Sequence, residues 1–106
     1  MAKYLVTGSY TAEGAKGLMK DGGSKRVQVV TDALKAAGVT VESFYFALGE
    51  HDVVLIVDGP DHATLTAVAL ATNASGAVRL STTVLLTPAD IDAAAKKSVN
   101  YTPPGR

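Results

Sequence analysis

The sequence predicts an α+β fold, in which a four-stranded antiparallel sheet has helices on one face and a further helix follows at the C-terminal end. Two observations lead to this prediction. Short runs of apolar and β-branched residues alternate with longer segments of helical periodicity, and residues that favour helix ends bound those segments. The length of 106 residues allows one hydrophobic core and is too short for two.

Four strands are predicted where apolar, β-branched and aromatic residues follow one another. They cover Lys3–Tyr10, Val39–Leu48, Val53–Asp58 and Ala77–Leu86. Only Gly49–Asp52 separates the second strand from the third, so these two strands are expected to form a hairpin.

Four helices are predicted between residues that can cap the first turn and residues that end a helix. They begin after Thr11, Ser24, Asp61 and Thr87 and end near Met19, Gly38, Ala74 and Lys97. The last helix has the clearest start, because Pro88 follows Thr87 and Asp90 lies in the first turn. Gly14 and Gly17 are expected to weaken the first helix.

The order of these elements is β, α, β, β, α, β, α, which matches the ferredoxin-like βαββαβ arrangement. We expect residues 1–97 to form this domain. Residues 98–106, which include Pro103–Pro104, are expected to form a tail that is loose or docked on a neighbouring chain.

Apolar residues occur on both faces of the predicted sheet. In the second strand, Phe44 and Phe46 alternate with Val41, Tyr45 and Ala47. Helices within the chain can cover only one of the two faces. The other face is therefore expected to pack on the sheet of a second copy, which would give a dimeric α+β barrel.

Four segments of the sequence carry a resemblance to a known family: LVTGSY, TAEGAKGL, the SKR helix start and FALGEHDVVLIVDGPD. They resemble the GYD family, small bacterial and archaeal proteins of the dimeric α+β barrel type whose biochemical role is not established. Gly49 and Asp52 match the family motif of Gly, any residue, Tyr and Asp, and His51 stands in place of the tyrosine. The resemblance covers about Lys3 to Asp90. It implies the fold and a homodimer, and it implies no reaction.

The composition argues against several classes of function. Ten basic and ten acidic residues give no net charge, which argues against nucleic acid or an anionic membrane surface as a partner. The absence of cysteine excludes disulfides, cysteine nucleophiles and thiolate metal sites. The sequence shows neither a signal pattern nor an apolar run long enough to cross a membrane, so we expect a cytoplasmic protein.

Candidate site residues gather at one end of the predicted sheet, where strand ends, the hairpin turn and a helix start meet. The candidate catalytic residues are His51 and Asp52, with Gly49 and Glu50 as ligand contacts. An imidazole suits proton transfer near neutral pH, and a neighbouring carboxylate can orient its ring. The alternative is a solvated turn whose Asp52 accepts hydrogen bonds from backbone amides.

The segment Gly22–Arg26 is a second candidate at this end of the sheet, together with Tyr10 at the end of the first strand. Free backbone amides at a helix start, with Lys25 and Arg26 beside them, suit the binding of an anion. The segment lacks the spacing of the known phosphate-binding motifs. The alternative is a flexible connector whose charges are solvated or pair with acidic residues of the turn.

Glu42 and Arg79 are charged residues within otherwise apolar strands. If both face inward, they are expected to pair or to bind a ligand inside the barrel, because an unpaired buried charge is costly. The competing expectation is that Glu42 is exposed at the rim of the sheet.

The two histidines do not predict a metal site. About six extended residues, at roughly 3.3 Å each, separate His51 from His62 and hold them about 20 Å apart. One ion within a subunit cannot reach both side chains. The sequence therefore predicts neither a metal nor another cofactor.

Two functions are compatible with these patterns. The first is a homo-oligomeric domain that binds a small molecule between the sheet and the helices or at the mouth of the barrel, with a cofactor-free enzyme as one form of it. The second is a non-catalytic interaction or scaffold protein that uses the apolar sheet face for assembly alone. The first is favoured if the candidate residues converge on one cavity, namely Tyr10, Glu42, His51 and Arg79.

Overall fold

A computed structural model, which describes residues 1–106, confirms the predicted α+β arrangement. The strands are β1 (Ala2–Tyr10), β2 (Thr40–Phe46), β3 (Val53–Gly59) and β4 (Val78–Leu85). The helices are α1 (Ala12–Asp21), α2 (Gly23–Ala36), α3 (His62–Ala74) and α4 (Pro88–Ala95). All strand pairs are antiparallel and form one sheet in the order β2-β3-β1-β4. The central strands are therefore β1 and β3.

Three of the four predicted helix caps are confirmed. The side chains of Thr11, Asp61 and Thr87 each accept a hydrogen bond from a backbone amide in the first turn of α1, α3 and α4. The prediction that Ser24 caps α2 is wrong. Gly22 adopts a φ of +85°, which glycine tolerates, and it is the single residue between α1 and α2.

The second strand is shorter than predicted. It ends at Phe46, because the amide of Ala47 already donates to the carbonyl of Asp52 at 2.8 Å and closes the hairpin. Its pairing with β3 also shifts register between Val41 and Ser43, which is a β-bulge. Glu42 is the bulged residue, and it is exposed.

The hydrophobic core lies between the sheet and the helices. Alternate residues of the two central strands point towards the helices and are buried: Tyr4, Val6, Val53, Leu55 and Val57. Leu34, Val39 and Leu65 pack against them. Full burial of one such side chain stabilises the fold by roughly 1.5–3 kcal/mol. Both helices lie on this one face: α2 packs mainly on β2, and α3 packs mainly on β4 and β3, so they cover opposite halves of the same face.

The second face of the sheet is covered by no helix, and we refer to it as the open face. Its central residues are Leu5, Thr7, Val54 and Ile56, which are half-buried by their neighbours in the sheet. Tyr45 beside them is 71% exposed. The apolar character predicted for both sheet faces is therefore present.

The C-terminal part of the chain extends away from the sheet. No residue of α4 is buried, and the helix ends at Ala95 instead of near Lys97. Residues 98–106 form neither helix nor strand. The radius of gyration is 17.1 Å, whereas about 13 Å is typical of a compact chain of this length. The difference reflects the projecting helix and tail.

Candidate functional site

A cavity of about 330 Å³ lies between the sheet and the helices α2 and α3, and we refer to it as the interhelical cavity. Its floor is formed by residues of the central strands, including Val6 and Leu55, and its walls include Val30 and Val68 from the two helices. Fifteen of its eighteen lining residues are hydrophobic. The volume lies at the lower end of the range of about 300–1,000 Å³ that is usual for small-molecule sites.

The cavity exists because the helices sit over different strands and carry short side chains between them. Ala33 of α2 and Ala71 of α3 both line the space and fill it only with a methyl group. Ala33, Ala71 and Val29 are exposed, so the interhelical cavity opens to solvent between the two helices.

Few polar groups line this cavity. They belong to Arg26, Thr72 and Thr82, and Tyr10 is the one lining aromatic residue that carries a hydroxyl group. The Thr72 hydroxyl already donates to the carbonyl of Val68 at 2.7 Å. Arg26 is the sole charged residue of the lining, and its Nε is buried without a hydrogen-bond partner. An unused charged donor thus faces an apolar space.

Two of the residues predicted as ligand contacts, Tyr10 and Arg26, meet at this cavity. Tyr10 comes from the end of β1, and Arg26 comes from the first turns of α2. The remaining predicted site residues do not line it, namely Lys25, Glu42, Gly49, Glu50, His51, Asp52 and Arg79. Tyr10, Glu42, His51 and Arg79 therefore do not converge on one cavity, and the case for binding depends on Arg26 and the cavity itself.

Asp52 closes the turn between β2 and β3 and binds it to β1. Its Oδ2 accepts a hydrogen bond from the amide of Tyr10 at 2.9 Å, and its own amide donates to the carbonyl of Gly8 at 2.8 Å. This is the contact predicted for a solvated turn, in which Asp52 accepts a hydrogen bond from a backbone amide. His51 is half-buried, and no hydrogen bond joins its ring to Asp52. The role of His51 as a base remains a prediction.

Gly49 does not lie in the left-handed region of backbone conformation. A Cβ at this position would meet no atom within 4 Å. The turn therefore needs no glycine here for reasons of strain or space within one chain.

The expected pair of Glu42 and Arg79 is not formed. Their strands, β2 and β4, are the two outer strands of the sheet, three strand spacings or about 14 Å apart. Glu42 instead accepts a hydrogen bond from Nζ of Lys3 at 2.9 Å, and Arg79 is exposed. Lys25 is also directed away from the cavity and lies 3.6 Å from Asp21 on the helix surface.

Lys3 is a charged residue that the sequence did not single out. Its Nζ also lies 3.1 Å from Oδ1 of Asp58, which faces it across the pair of central strands. The hydrogen bonds to Glu42 and Asp58 raise the pKa of Lys3 above its usual value. The three side chains form an ion network at one end of the open face, which only the strand register reveals.

A second contact missed from the sequence joins Tyr4 of β1 to His62 of α3. The Tyr4 hydroxyl lies 2.6 Å from Nδ1 of His62. Both residues line a smaller cavity of about 300 Å³ together with Thr66 and Thr82. The sequence offered one indication of this contact: the predicted cap at Asp61 makes His62 the first residue of α3. No group of three or more metal-ligating side chains occurs in the chain.

A family model of the GYD domain matches residues 4–95, from β1 to the end of α4. The chain belongs to the GYD family. This match confirms the resemblance carried by the hairpin and the first strand. No curated protein and no solved structure shows significant similarity to the chain. None of its helices has the length and apolarity needed to span a membrane.

In this GYD domain, the motif and the interhelical cavity are structurally connected. Asp52, the last residue of the motif, binds the backbone of Tyr10, whose side chain lines the cavity. The motif aspartate therefore fixes the strand end from which one wall of the cavity is built.

Proposed function

We propose that this GYD-family protein is a homo-oligomeric domain that binds a small molecule in the interhelical cavity. One observation carries the proposal: the apolar space of about 330 Å³ contains a charged donor, Arg26 Nε, that no group of the chain satisfies. Buried polar groups in folded proteins are almost always hydrogen-bonded. An unfilled space and an unsatisfied donor at the same place are features of a binding site.

The link between the motif and the cavity supports this proposal. Asp52 has a positioning role at the cavity and takes part in no reaction there, because it holds the backbone of Tyr10 through a hydrogen bond of 2.9 Å. We assign no reaction to the turn, since the Oδ2 of Asp52 is engaged with that amide and does not orient His51. The proposed function is binding.

Thermal unfolding of the full chain against a metabolite panel tests the proposal. A ligand at a hundred times its Kd stabilises the folded state by about 2.7 kcal/mol. For a domain of this size, such stabilisation raises Tm by roughly ten degrees or more. Ala71→Leu, which places a larger side chain at the solvent-exposed mouth of the cavity, is expected to reduce the shift. A flat response to the whole panel, or an equal shift with Ala71→Leu, would contradict binding in this cavity.

The open face supports the homo-oligomeric part of the proposal. Leu5, Val54 and Ile56 form an apolar centre that the chain leaves without a covering layer. The network of Lys3, Glu42 and Asp58 lies at its rim, where charges remain hydrated when two such faces meet. A second copy packed on this face would bury the apolar centre in an isologous interface.

Light scattering at micromolar concentration tests the assembly. We expect at least twice the chain mass of 10.9 kDa. Ile56→Asp places a charge in the centre of the open face and should give monomers. Leu70→Asp is the matched control, because Leu70 is 67% exposed on α3 and lies on the other side of the molecule. A wild-type monomer would refute the oligomer.

A scaffold role is the second candidate function, and the exposed apolar centre of the open face favours it. In that case, the protein assembles as described, and Ile56→Asp disrupts the assembly. No compound of the panel then changes Tm. The two experiments together thus separate a binding domain from a scaffold.

A further inference from the structure

We infer that the ligand of the interhelical cavity is an apolar monocarboxylate, with its carboxylate bound by Arg26 and its hydrocarbon body held between α2, α3 and the sheet. This inference rests on the proposed binding function and adds the chemical class of the ligand. Charge, the polarity of the walls and the number of available donors each support it.

The charge of the cavity favours an anion. Arg26 is the one charged residue that lines it, and no carboxylate of the chain forms a salt bridge with Arg26. Arg26 is half-buried, but its Nε is inaccessible and has no partner, so a group of opposite charge that reaches this nitrogen would satisfy it. The planar fork of N–H donors of a guanidinium matches the two oxygens of a carboxylate.

The walls restrict the rest of the ligand. Fifteen hydrophobic residues surround the space, and a sugar or another polyol would leave its hydroxyl groups without partners there. A phosphate ester would introduce a second negative charge, for which the cavity offers no second cation. A hydrocarbon without a polar group would fit the walls but would leave Arg26 Nε unsatisfied.

Tyr10 is a second donor for one anionic group. It lines the same cavity as Arg26, and its side chain forms no hydrogen bond within the chain, so its O–H is available to donate. Thr82 pairs with Val6, four residues along β1 from Tyr10, and lies too far along the sheet to share that anion. One carboxylate can accept from Arg26 and from a hydroxyl donor at the same time. The available donors therefore suit a single carboxylate.

Calorimetric titration of the full chain with decanoate, decanol and acetate tests this inference, with all probes kept below the concentration at which they self-associate. Decanoate and decanol share the hydrocarbon body, and decanoate and acetate share the carboxylate. We expect decanoate to bind at least about tenfold more tightly than decanol, as for one charge-assisted hydrogen bond. Acetate should show no binding.

Arg26→Met removes the charge and keeps an apolar stem. It should abolish the preference for decanoate while decanol still binds. Lys25→Met is the matched control: it removes the adjacent cation, whose side chain is 65% exposed and outside the cavity, and it should keep the preference. Ala71→Leu should weaken both long-chain probes.

The outcomes separate this inference from the binding function on which it rests. Equal affinity for decanoate and decanol, or a preference that survives Arg26→Met, overturns the carboxylate assignment and leaves binding in the cavity intact. A preference lost equally in Lys25→Met also overturns it, because the effect would then follow from net charge. If neither long-chain probe binds, the assignment is wrong, and the metabolite panel decides separately whether the cavity binds anything.

Discussion

The hydroxyl of Tyr4 and Nδ1 of His62 lie 2.6 Å apart, and the two rings meet edge to face with their centroids 5.6 Å apart. Tyr4 is 1% exposed on the central strand β1, whereas His62 is the exposed first residue of α3. This contact joins the first half of β1 to the start of the helix that forms one wall of the interhelical cavity.

Tyr4→Phe is expected to lower the free energy of unfolding by about 1 kcal/mol, the usual contribution of one hydrogen bond. The loss stays small because water can reach His62 in the variant. Urea unfolding of Tyr4→Phe, His62→Ala and the double variant measures the coupling between the two side chains. Additive effects would show that the hydrogen bond contributes nothing to stability.

Asp52→Ala is expected to destabilise the domain by about 1–3 kcal/mol, because it leaves the partly buried amide of Tyr10 without its acceptor. Asp52→Asn keeps an acceptor oxygen and should be much closer to wild type in urea unfolding. If Asp52→Asn is fully stable but loses ligand binding or turnover, the carboxylate has a chemical role beyond the backbone contact.

Two glycines of α1 should respond in opposite ways to alanine. A Cβ at Gly14 would clash with the carbonyl oxygen of Ala77, whereas a Cβ at Gly17 would meet nothing within 4 Å. Gly14→Ala should therefore destabilise by about 1–3 kcal/mol through overpacking. Gly17→Ala should stabilise by up to about 1 kcal/mol, since alanine is the better helix former. Equal Tm values for the two variants would contradict the close approach of α1 to Ala77.

The start of α3 should depend on pH. The hydrogen bonds from the backbone and side chain of Thr64 lower the pKa of Asp61 below its usual value of 3.8. The stabilising effect of the charged cap is therefore fully present above this unfolded pKa of 3.8 and is lost as pH falls through the lower folded pKa. Exchange of the Thr64 amide should increase in acid. Asp61→Asn is the control, and an identical pH profile in both proteins would refute the assignment.

Thr87→Ala is expected to cost about 1 kcal/mol of helix stability, because Thr87 and Asp90 form a capping box at the start of α4. No residue of α4 is buried, so the loss should stay within the helix. Amide exchange in α4 should become about fivefold faster while Tm of the domain is unchanged. A clear fall in Tm would mean that α4 contributes to the stability of the sheet.

The elements of the fold were largely predictable because their signals are local. Thr11, Asp61 and Thr87 cap helices through amides three residues ahead, and such contacts need no tertiary structure. The junction of α1 and α2 was not predictable in the same way. There a left-handed Gly22 joins the helices directly, which makes a cap by Ser24 unnecessary.

The candidate site could be predicted only in part. The order of strands brings Tyr10 and Arg26 to one end of the sheet, and both line the cavity. The cavity itself depends on side-chain volumes, such as the small methyl groups of Ala33 and Ala71, and the spacing of apolar residues in the sequence does not reveal it. The pairing of Lys3 with two carboxylates depends instead on the strand register, which becomes visible only in the structure.

The β-bulge between Val41 and Ser43 also affects how the outer strands behave towards other molecules. Outer strands present unpaired amide and carbonyl groups that can template the addition of a foreign strand, as in aggregation. In β2, the bulge interrupts this template and Glu42 adds a charge to it. β4 pairs continuously with β1 from Lys3 to Tyr10 and contains no bulge. Strand addition is thus hindered by a bulge and a charge along β2, whereas along β4 only the exposed Arg79 opposes it.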